Sequence, residues 1–461
     1  INRRYDADSG RALDRLQQAS GIRMKGQTGS KKVFFLTLGC QMNVYDSEVL
    51  KGILSQRGYS ITNRPEEASL IIVNTCSVRE HAEVRAIGRL NELSRYKLEN
   101  PDVKLAVIGC MAQRLGEKFL KEVPALDFVL GTEELFKLPD YLEKKGKSPV
   151  VGLSLFELKE INTLPQRKNK FSSFVAISRG CENFCSYCVV PYVRGPEKNR
   201  KMSDIIREVQ CLTESGCKEV SLIGQNVNSY KDDGKDFAGL LAEVSKTDIQ
   251  RIRFMTSHPK DLSEKLIDAM SDLEKVCEHL HLPLQSGSDK ILRWMNRNYT
   301  TLAYLQLAGS VKEKVESLSL TTDLIVGFPG ETEEDFQRTL EMVQRIGFDS
   351  AFMFKYSSRE GTQAFHFEDD VPNEVKMDRL QTLIELQKTI SQKKNKESIG
   401  RTEEVLIDGK SKRDKSSWKG KGRSNKTVII PKGENDNKLL GEIVKVKITD
   451  ADSFTLFGEI V

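Results

Sequence analysis

No run of apolar residues in this chain approaches the length needed to cross a bilayer, so neither a membrane-spanning helix nor a membrane partner is expected. The polar start, Ile1 to Ser30, has no apolar signal-like region, and residues 1–31 are expected to form a mobile tail. A marked charge excess is missing too: 71 Lys and Arg against 66 Asp and Glu leave a net +5, which by itself does not argue for nucleic acid. The nine cysteines lack the even count, and the long chain lacks the small size, of a disulfide framework. Free thiols suit a reducing cytosol, and a cytoplasmic location is expected.

What is present begins with size. At 461 residues the chain exceeds one hydrophobic core, so two or three domains are expected. The chemistry concentrates in Cys181-Glu182-Asn183-Phe184-Cys185-Ser186-Tyr187-Cys188, a C-x3-C-x2-C stretch directly after the apolar run Phe174 to Ile177. Zinc sites usually pair C-x2-C units to reach four ligands, and no fourth Cys or His stands beside these three. A loop with buried thiols is the plain alternative. An iron-sulfur cubane held by three thiolates would leave one iron open to a small molecule.

With that spacing, and with Tyr187 just before the third cysteine, the stretch resembles the radical S-adenosylmethionine (SAM) enzymes. The resemblance implies that Cys181, Cys185 and Cys188 hold a 4Fe-4S cluster whose open iron chelates SAM. One electron from the cluster then cleaves SAM to a 5′-deoxyadenosyl radical. Phe184 and Tyr187 become walls of the pocket.

Upstream, three apolar runs each end in a cysteine and pass into a helical pattern: Val33 to Leu38 before Cys40, Leu70 to Thr75 before Cys76, and Leu105 to Gly109 before Cys110. Repeated strand, turn and helix predict a parallel sheet, whose carboxyl strand ends lie on one ligand-binding edge. The three cysteines could converge there on a second cluster, or could be small residues at tight turns. The words Gly39-Cys40-Gln41-Met42-Asn43, Asn74-Thr75-Cys76-Ser77-Val78-Arg79-Glu80 and Gly109-Cys110-Met111-Ala112 resemble the amino-terminal domain of the methylthiotransferases. In that family the matching cysteines, here Cys40, Cys76 and Cys110, hold an auxiliary 4Fe-4S cluster carrying the sulfur to be transferred.

A charged, irregular segment with Pro149 and Pro165 places the first domain at 32–148 and a linker at 149–170. Six apolar strand candidates alternating with helical stretches follow over 171–398, which predicts a partial (β/α)6 barrel with its chemistry at the carboxyl strand ends. Polar words at those ends suit a nucleoside-like ligand, though each also reads as turn chemistry. As a set they resemble the methylthiotransferase radical domain. That resemblance assigns Gln225, Asn226, Ser257, Gln285 and the segment from Asp323 to Gly327 to the SAM pocket. Histidine as a residue type titrates near neutrality, so His258, His279 and His281 could be acid-base groups, but radical abstraction needs no such base, and structural hydrogen bonding is the expected role. Cys211, Cys217 and Cys277 are read as free core thiols.

From 399 to 461 short strands with glycine-rich turns predict a small β-barrel. Between Lys410 and Lys432 lie nine Lys or Arg against one acid, Asp414, with Trp418 among them. Basic residues beside an aromatic on a small barrel suit single-stranded nucleic acid. The module resembles the TRAM RNA-binding domain, and Lys412, Arg413, Lys415, Trp418, Lys419, Lys421 and Arg423 are its candidate RNA contacts.

The fold class is therefore α/β: an amino-terminal parallel-sheet domain, a central partial barrel and a carboxyl-terminal small β-barrel. The resemblance to the radical SAM methylthiotransferases covers nearly the whole chain. It implies two 4Fe-4S clusters and SAM as both methyl donor and radical source. It also implies a tRNA anticodon stem-loop as substrate, an external electron donor, a sulfur source and a monomeric enzyme. Within the family the cysteine words look most like members that place a methylthio group at C2 of N6-isopentenyl-adenosine. Members acting on threonylcarbamoyl-adenosine in tRNA or on a ribosomal-protein aspartate are the alternatives.

Overall fold

The computed structural model describes residues 31–77, 80–144, 149–155, 165–167, 169–431 and 439–461, with 80–82 by backbone alone. The expected tail lies outside the described residues except for Lys31, which opens the first strand.

The first domain is a six-stranded, all-parallel sheet of β1 (Lys31–Leu38), β2 (Tyr59–Thr62), β3 (Leu70–Thr75), β4 (Lys104–Gly109), β5 (Phe128–Leu130) and β6 (Val150–Gly152), in the order β2-β1-β3-β4-β5-β6. Every residue of β3 is buried, as its continuous apolar run requires of a strand covered on both faces. The three cysteine-bearing strands are neighbours in register, with Leu38 opposite Thr75 and Thr75 opposite Gly109. Strand β6 belongs to this sheet, so the first folded unit runs past the expected end at 148, and the linker shortens accordingly.

The second unit has the expected six parallel strands, in two sheets of three. One contains Ser172–Ala176, Glu219–Ile223 and Arg251–Phe254; the other contains His279–His281, Ser319–Val326 and Ser350–Lys355. A parallel bridge from Ile252 to Val276 links the two halves. Apolar positions on the helix side of both sheets, among them Val175, Val220, Leu222, Leu280 and Leu320, merge into one core under the surrounding helices.

Five strands from Thr402 to Ile460 close into a small barrel. It docks on the amino ends of the central strands. There Arg253 donates to the carbonyl oxygens of Arg423 and Gly422 at 2.7 and 2.6 Å, Arg423 pairs with Glu278 at 2.6 Å, and Lys426 pairs with Asp349 at 3.0 Å. The first domain sits at the opposite, carboxyl end. Asp46 binds Arg179 and Arg194 there, and Arg359 meets Glu83 at 3.2 Å.

Candidate active site between two cysteine sets

In the first domain, Cys40, Cys76 and Cys110 leave the carboxyl ends of β1, β3 and β4, strands about 4.8 Å apart, and so stand along one sheet edge. A buried pair of amides ties the three turns together. Asn43 Nδ2 donates to Asn74 Oδ1 at 2.9 Å and to the Thr75 carbonyl at 3.1 Å, while Asn74 Nδ2 donates back to the Asn43 carbonyl at 2.9 Å. Asn43 Oδ1 accepts from both the backbone N–H and the thiol of Cys40, each at 3.2 Å, and so fixes the start of the helix Gln41–Gln56. The glycines of these words make room for the amides. A Cβ on Gly109, whose φ is +95°, would stand 2.4 Å from Asn74 Oδ1 and 2.6 Å from the Thr75 carbonyl oxygen.

The thiols of this edge interact. Cys40, exposed at the helix start, has its pKa lowered to about 6. The hydrogen bond with Cys76 is the main cause, and the charge of Arg194 and nearby backbone groups add to it against the opposing push of desolvation. Burial raises Cys110.

The second set lies in one loop at the carboxyl end of the central strands. Gln225 Oε1 accepts from Gly180 N at 2.6 Å, Cys181 N donates to the Gly195 carbonyl at 3.2 Å, and Ser186 N donates to the Met295 carbonyl at 3.0 Å. Arg297, buried, brings Nη1 to 3.5 Å from Cys185 Sγ and holds the Pro283 carbonyl with Nη2 at 3.0 Å. Around this loop Phe184, Thr256, Gln285 and Asn296 all take left-handed backbone conformations, with φ of +44°, +71°, +68° and +54°. Such strain in non-glycine residues persists where the surroundings impose it, and it gathers at functional sites. Desolvation raises Cys181, and it raises Cys188 to about 12 together with the neighbouring Cys185 thiol.

Among the described residues no three His, Cys, Asp or Glu side chains converge tightly enough to share one metal ion. A cubane imposes a wider spacing, because each thiolate binds its own corner iron. The donor chemistry suits a cubane: each set supplies three cysteines with a guanidinium nearby to offset charge, Arg194 by Cys110 and Arg297 by Cys185.

The SAM-pocket candidates divide. Asn226 Oδ1, Ser257 Oγ and Gln285 Oε1 are buried without a hydrogen-bond partner, which is costly in a closed protein and suits a polar ligand. Gln225 is instead committed to Gly180 and shapes the cysteine loop. Asp323 faces the barrel interior with Oδ2 3.4 Å from His281 Nε2. Gly327, at φ +69°, passes against Lys376, whose Cγ a Cβ would meet at 2.3 Å. Tyr187 packs with Ile291, Met295 and Phe328. Phe184 is 49% exposed and makes an edge-to-face pair with Tyr192, so it stands at the rim rather than as an inner wall.

The two sets meet across one short helix. Cys110 packs against Val189, which directly follows Cys188, and against Val193, one helical turn further on. Gln41, next to Cys40, reaches Met255 Sδ at 3.7 Å, at the carboxyl end of a central strand. Both thiol sets therefore lie close to the contact between the first and central domains.

Residues 32–131 match the model of an uncharacterized protein family, UPF0004, residues 175–343 match the radical SAM superfamily, and residues 396–461 match the TRAM domain. The chain is 48% identical over 445 residues to a tRNA-2-methylthio-N(6)-dimethylallyladenosine synthase of Caldicellulosiruptor saccharolyticus, covering 94% of each chain. It is 46% identical over 461 residues to the same-named protein of Acetivibrio thermocellus, covering 98% of this chain and 95% of that one. The chain belongs to the tRNA-2-methylthio-N(6)-dimethylallyladenosine synthase family.

Solved structures share the fold with this synthase-family chain. The cobalamin-dependent radical enzyme OxsB, with aqua-cobalamin and SAM bound, aligns with TM-score 0.52 at 12% identity over 81% of this chain and 61% of its own. The radical SAM methyltransferase TsrM of Kitasatospora setae aligns with TM-score 0.52 at 13% identity over 73% and 74%.

The carboxyl-terminal barrel corrects the expected RNA set. Trp418 is buried in the barrel core with Val405, Ile430 and Val446, so its ring is not available for base stacking. Arg423 is spent on Glu278 and on the carbonyls of Glu274 and Val276. Lys421 is half-buried at the docked end of its strand, donates to the Asn425 carbonyl, and has its pKa lowered by desolvation. Lys419 pairs with Asp408 at 3.1 Å. Lys412, Arg413 and Lys415 remain exposed, at the end of the hairpin that points away from the central domain.

The histidines act as expected of structural groups. His279 and His281 bond Thr321 Oγ1 at 3.2 and 3.0 Å, and burial lowers His279 far below its ordinary value. Asn43 and Asn74 stand inside the cysteine-bearing words of the first domain and were legible there, whereas Arg297 lies more than a hundred residues from Cys185. Arg194 could not have been found: before folding, nothing distinguishes it from a surface arginine.

Proposed function

We propose that Cys181, Cys185 and Cys188 hold the SAM-binding 4Fe-4S cluster, that Cys40, Cys76 and Cys110 hold the auxiliary one, and that the chain inserts a methylthio group at C2 of N6-isopentenyl-adenosine next to the tRNA anticodon. One observation supports this reading: Cys110 lies against Val189 and Val193, shortly after Cys188 in the chain, which brings the two sets to one interdomain contact, and the adenine ring would sit between them. When bound, SAM and the clusters supply the methyl group, the hydrogen-abstracting radical and the sulfur.

The chain itself orients and shields. Asn226, Ser257 and Gln285 offer their unpaired oxygens to SAM, Arg297 offsets charge at Cys185, and Arg194 does so at the other set. Lys412, Arg413 and Lys415 track tRNA phosphates from the distal hairpin. An external electron donor and a sulfur source complete the reaction, and we take the enzyme to act as a cytoplasmic monomer, the compartment its free thiols suit.

Anaerobic reconstitution should give about eight irons per chain, falling to about four when either cysteine set is changed to alanine. Isopentenylated tRNA should gain the methylthio group, read by mass spectrometry of nucleosides, only with both sets intact. About four irons in the intact chain, all lost with the loop cysteines, would exclude the auxiliary cluster. For the RNA surface, changing Lys412, Arg413 and Lys415 to alanine should flatten log affinity against log salt by about 2. An unchanged slope would move the tRNA elsewhere.

A further inference from the structure

Arg194 ends the short helix Val190–Arg194 that leads away from Cys188, and its side chain crosses into the first domain. It is 5% exposed. Nη2 donates to Asp46 Oδ2 at 3.1 Å, the guanidinium reaches the Cys110 thiol, and its charge acts on Cys40. Nη1 is buried with no hydrogen-bond acceptor among the described residues. Asp46 is itself fully buried and already takes Arg179 on its other oxygen, at 2.6 Å. Two guanidiniums therefore share one carboxylate, and the group carries net positive charge beside the cysteines.

A tie between domains needs one of these arginines. A second buried cation with an idle donor is unfavourable unless it faces an anion. We propose that Arg194 is a positioning residue of the auxiliary site, its Nη1 donating a charge-assisted hydrogen bond to the anionic sulfur, sulfide or alkylthiolate, that binds there. Its charge also offsets that of the three thiolates, which favours the reduced cluster. A guanidinium suits this role because its charge persists at every working pH and its donors diverge in a fixed plane, one set on Asp46 and one on the sulfur. The inference rests on the reading that Cys40, Cys76 and Cys110 hold a cluster.

The test uses the full chain with Cys181, Cys185 and Cys188 changed to alanine, so that all iron signals belong to the auxiliary site. Its readouts are iron content, sulfide affinity from the shift of the electron paramagnetic resonance signal, and midpoint potential. In this background Arg194→Gln should keep about four irons, bind sodium sulfide about tenfold more weakly, and lower the potential by about 59 mV, the one-electron equivalent of tenfold. Arg194→Lys should restore most of the potential and part of the sulfide affinity. Arg179→Gln, which removes a charge one residue further from the thiols and leaves Arg194 Nη1 in place, should move both clearly less than Arg194→Gln does. Unchanged affinity and potential in an iron-loaded Arg194→Gln chain overturn the proposal, as does an equal shift from Arg179→Gln, which would make the arginine an interdomain tie. If Arg194→Gln fails to load, Arg194→Lys decides, and sulfide affinity equal to the parent's overturns the proposal. A background without iron would instead bring down the cluster assignment, and the inference with it.

Discussion

The loop cysteines and the sheet-edge cysteines lie by one interdomain contact, and the two trios are gathered by opposite means. Cys181, Cys185 and Cys188 are gathered by sequence, and what must be built around them is a strained loop held by distant carbonyls and by Arg297. Cys40, Cys76 and Cys110 are gathered by strand register, and the chain between them needs no strain, only the Asn43 and Asn74 amides to hold the turns level. The charge settings differ as well. Cys40 has its pKa lowered to about 6, whereas burial and Cys185 raise Cys188 to about 12. Thiols must ionise to bind iron, which the setting of Cys40 favours and the burial of Cys110, Cys181 and Cys188 opposes.

The sharpest way to break the comparison is to add one methyl group to each site. Gly180, at φ +80°, would place a Cβ 2.0 Å from the Pro196 carbonyl oxygen, and Gly109, at φ +95°, would place one 2.6 Å from that of Thr75. Backbone cannot retreat as a flexible side chain can, so Gly180→Ala and Gly109→Ala should each cost about 3 kcal/mol or more. Each should empty only its own site. Iron analysis of the two variants decides this: if either loses about eight irons rather than about four, the sites do not form independently.

A smaller effect sharpens the edge half alone. Asn43→Ala or Asn74→Ala strands buried donors and carbonyls, at about 2 kcal/mol, and should loosen the Cys40 and Cys76 turns. The auxiliary signal should broaden or vanish while the loop cluster still cleaves SAM. Retention of both spectra would mean that strand register alone positions the thiols.

This contrast also explains what the sequence disclosed. A site written in one loop is legible as a spacing, and the register-built site was legible because each cysteine closes an apolar strand, where a parallel sheet puts its ligands. The strand count of the central barrel followed from alternation. The barrel contacts were less legible. Trp418 and Arg423 lie in a basic run, but closure of the barrel turns Trp418 inward, and docking on Glu278 consumes Arg423. Charge in a string of residues does not say which face it will occupy. Arg194 was invisible for a related reason: its partner Asp46 lies in another domain, and only packing brings the two together.

The smallest expected effect separates the two sites by pH. His258 supports the loop side: its ring meets Tyr299 edge-on at 5.9 Å, its Nδ1 accepts from Lys260 N at 3.2 Å, and Asn228 clasps its backbone at 2.8 and 2.9 Å. Desolvation, then the charges of Arg297 and Lys260, lowers its pKa from 6.5 to about 2. For a base whose folded pKa lies below its unfolded one, the unfolded chain binds the proton first. The stabilisation is present above pH 6.5 and is lost as pH falls below it, by up to about 1.4 kcal/mol per pH unit. In the metal-free chain, amide exchange across residues 181–188 and 256–261 should therefore quicken about tenfold from pH 6 to pH 5, after correction for intrinsic rates. Residues 40–43 should not follow. His258→Asn keeps an acceptor for Lys260 N but cannot take up the proton, and should remove the excess. If the variant keeps the parent's slope, or if the edge loosens equally, acid acts on the whole chain and not through this imidazole.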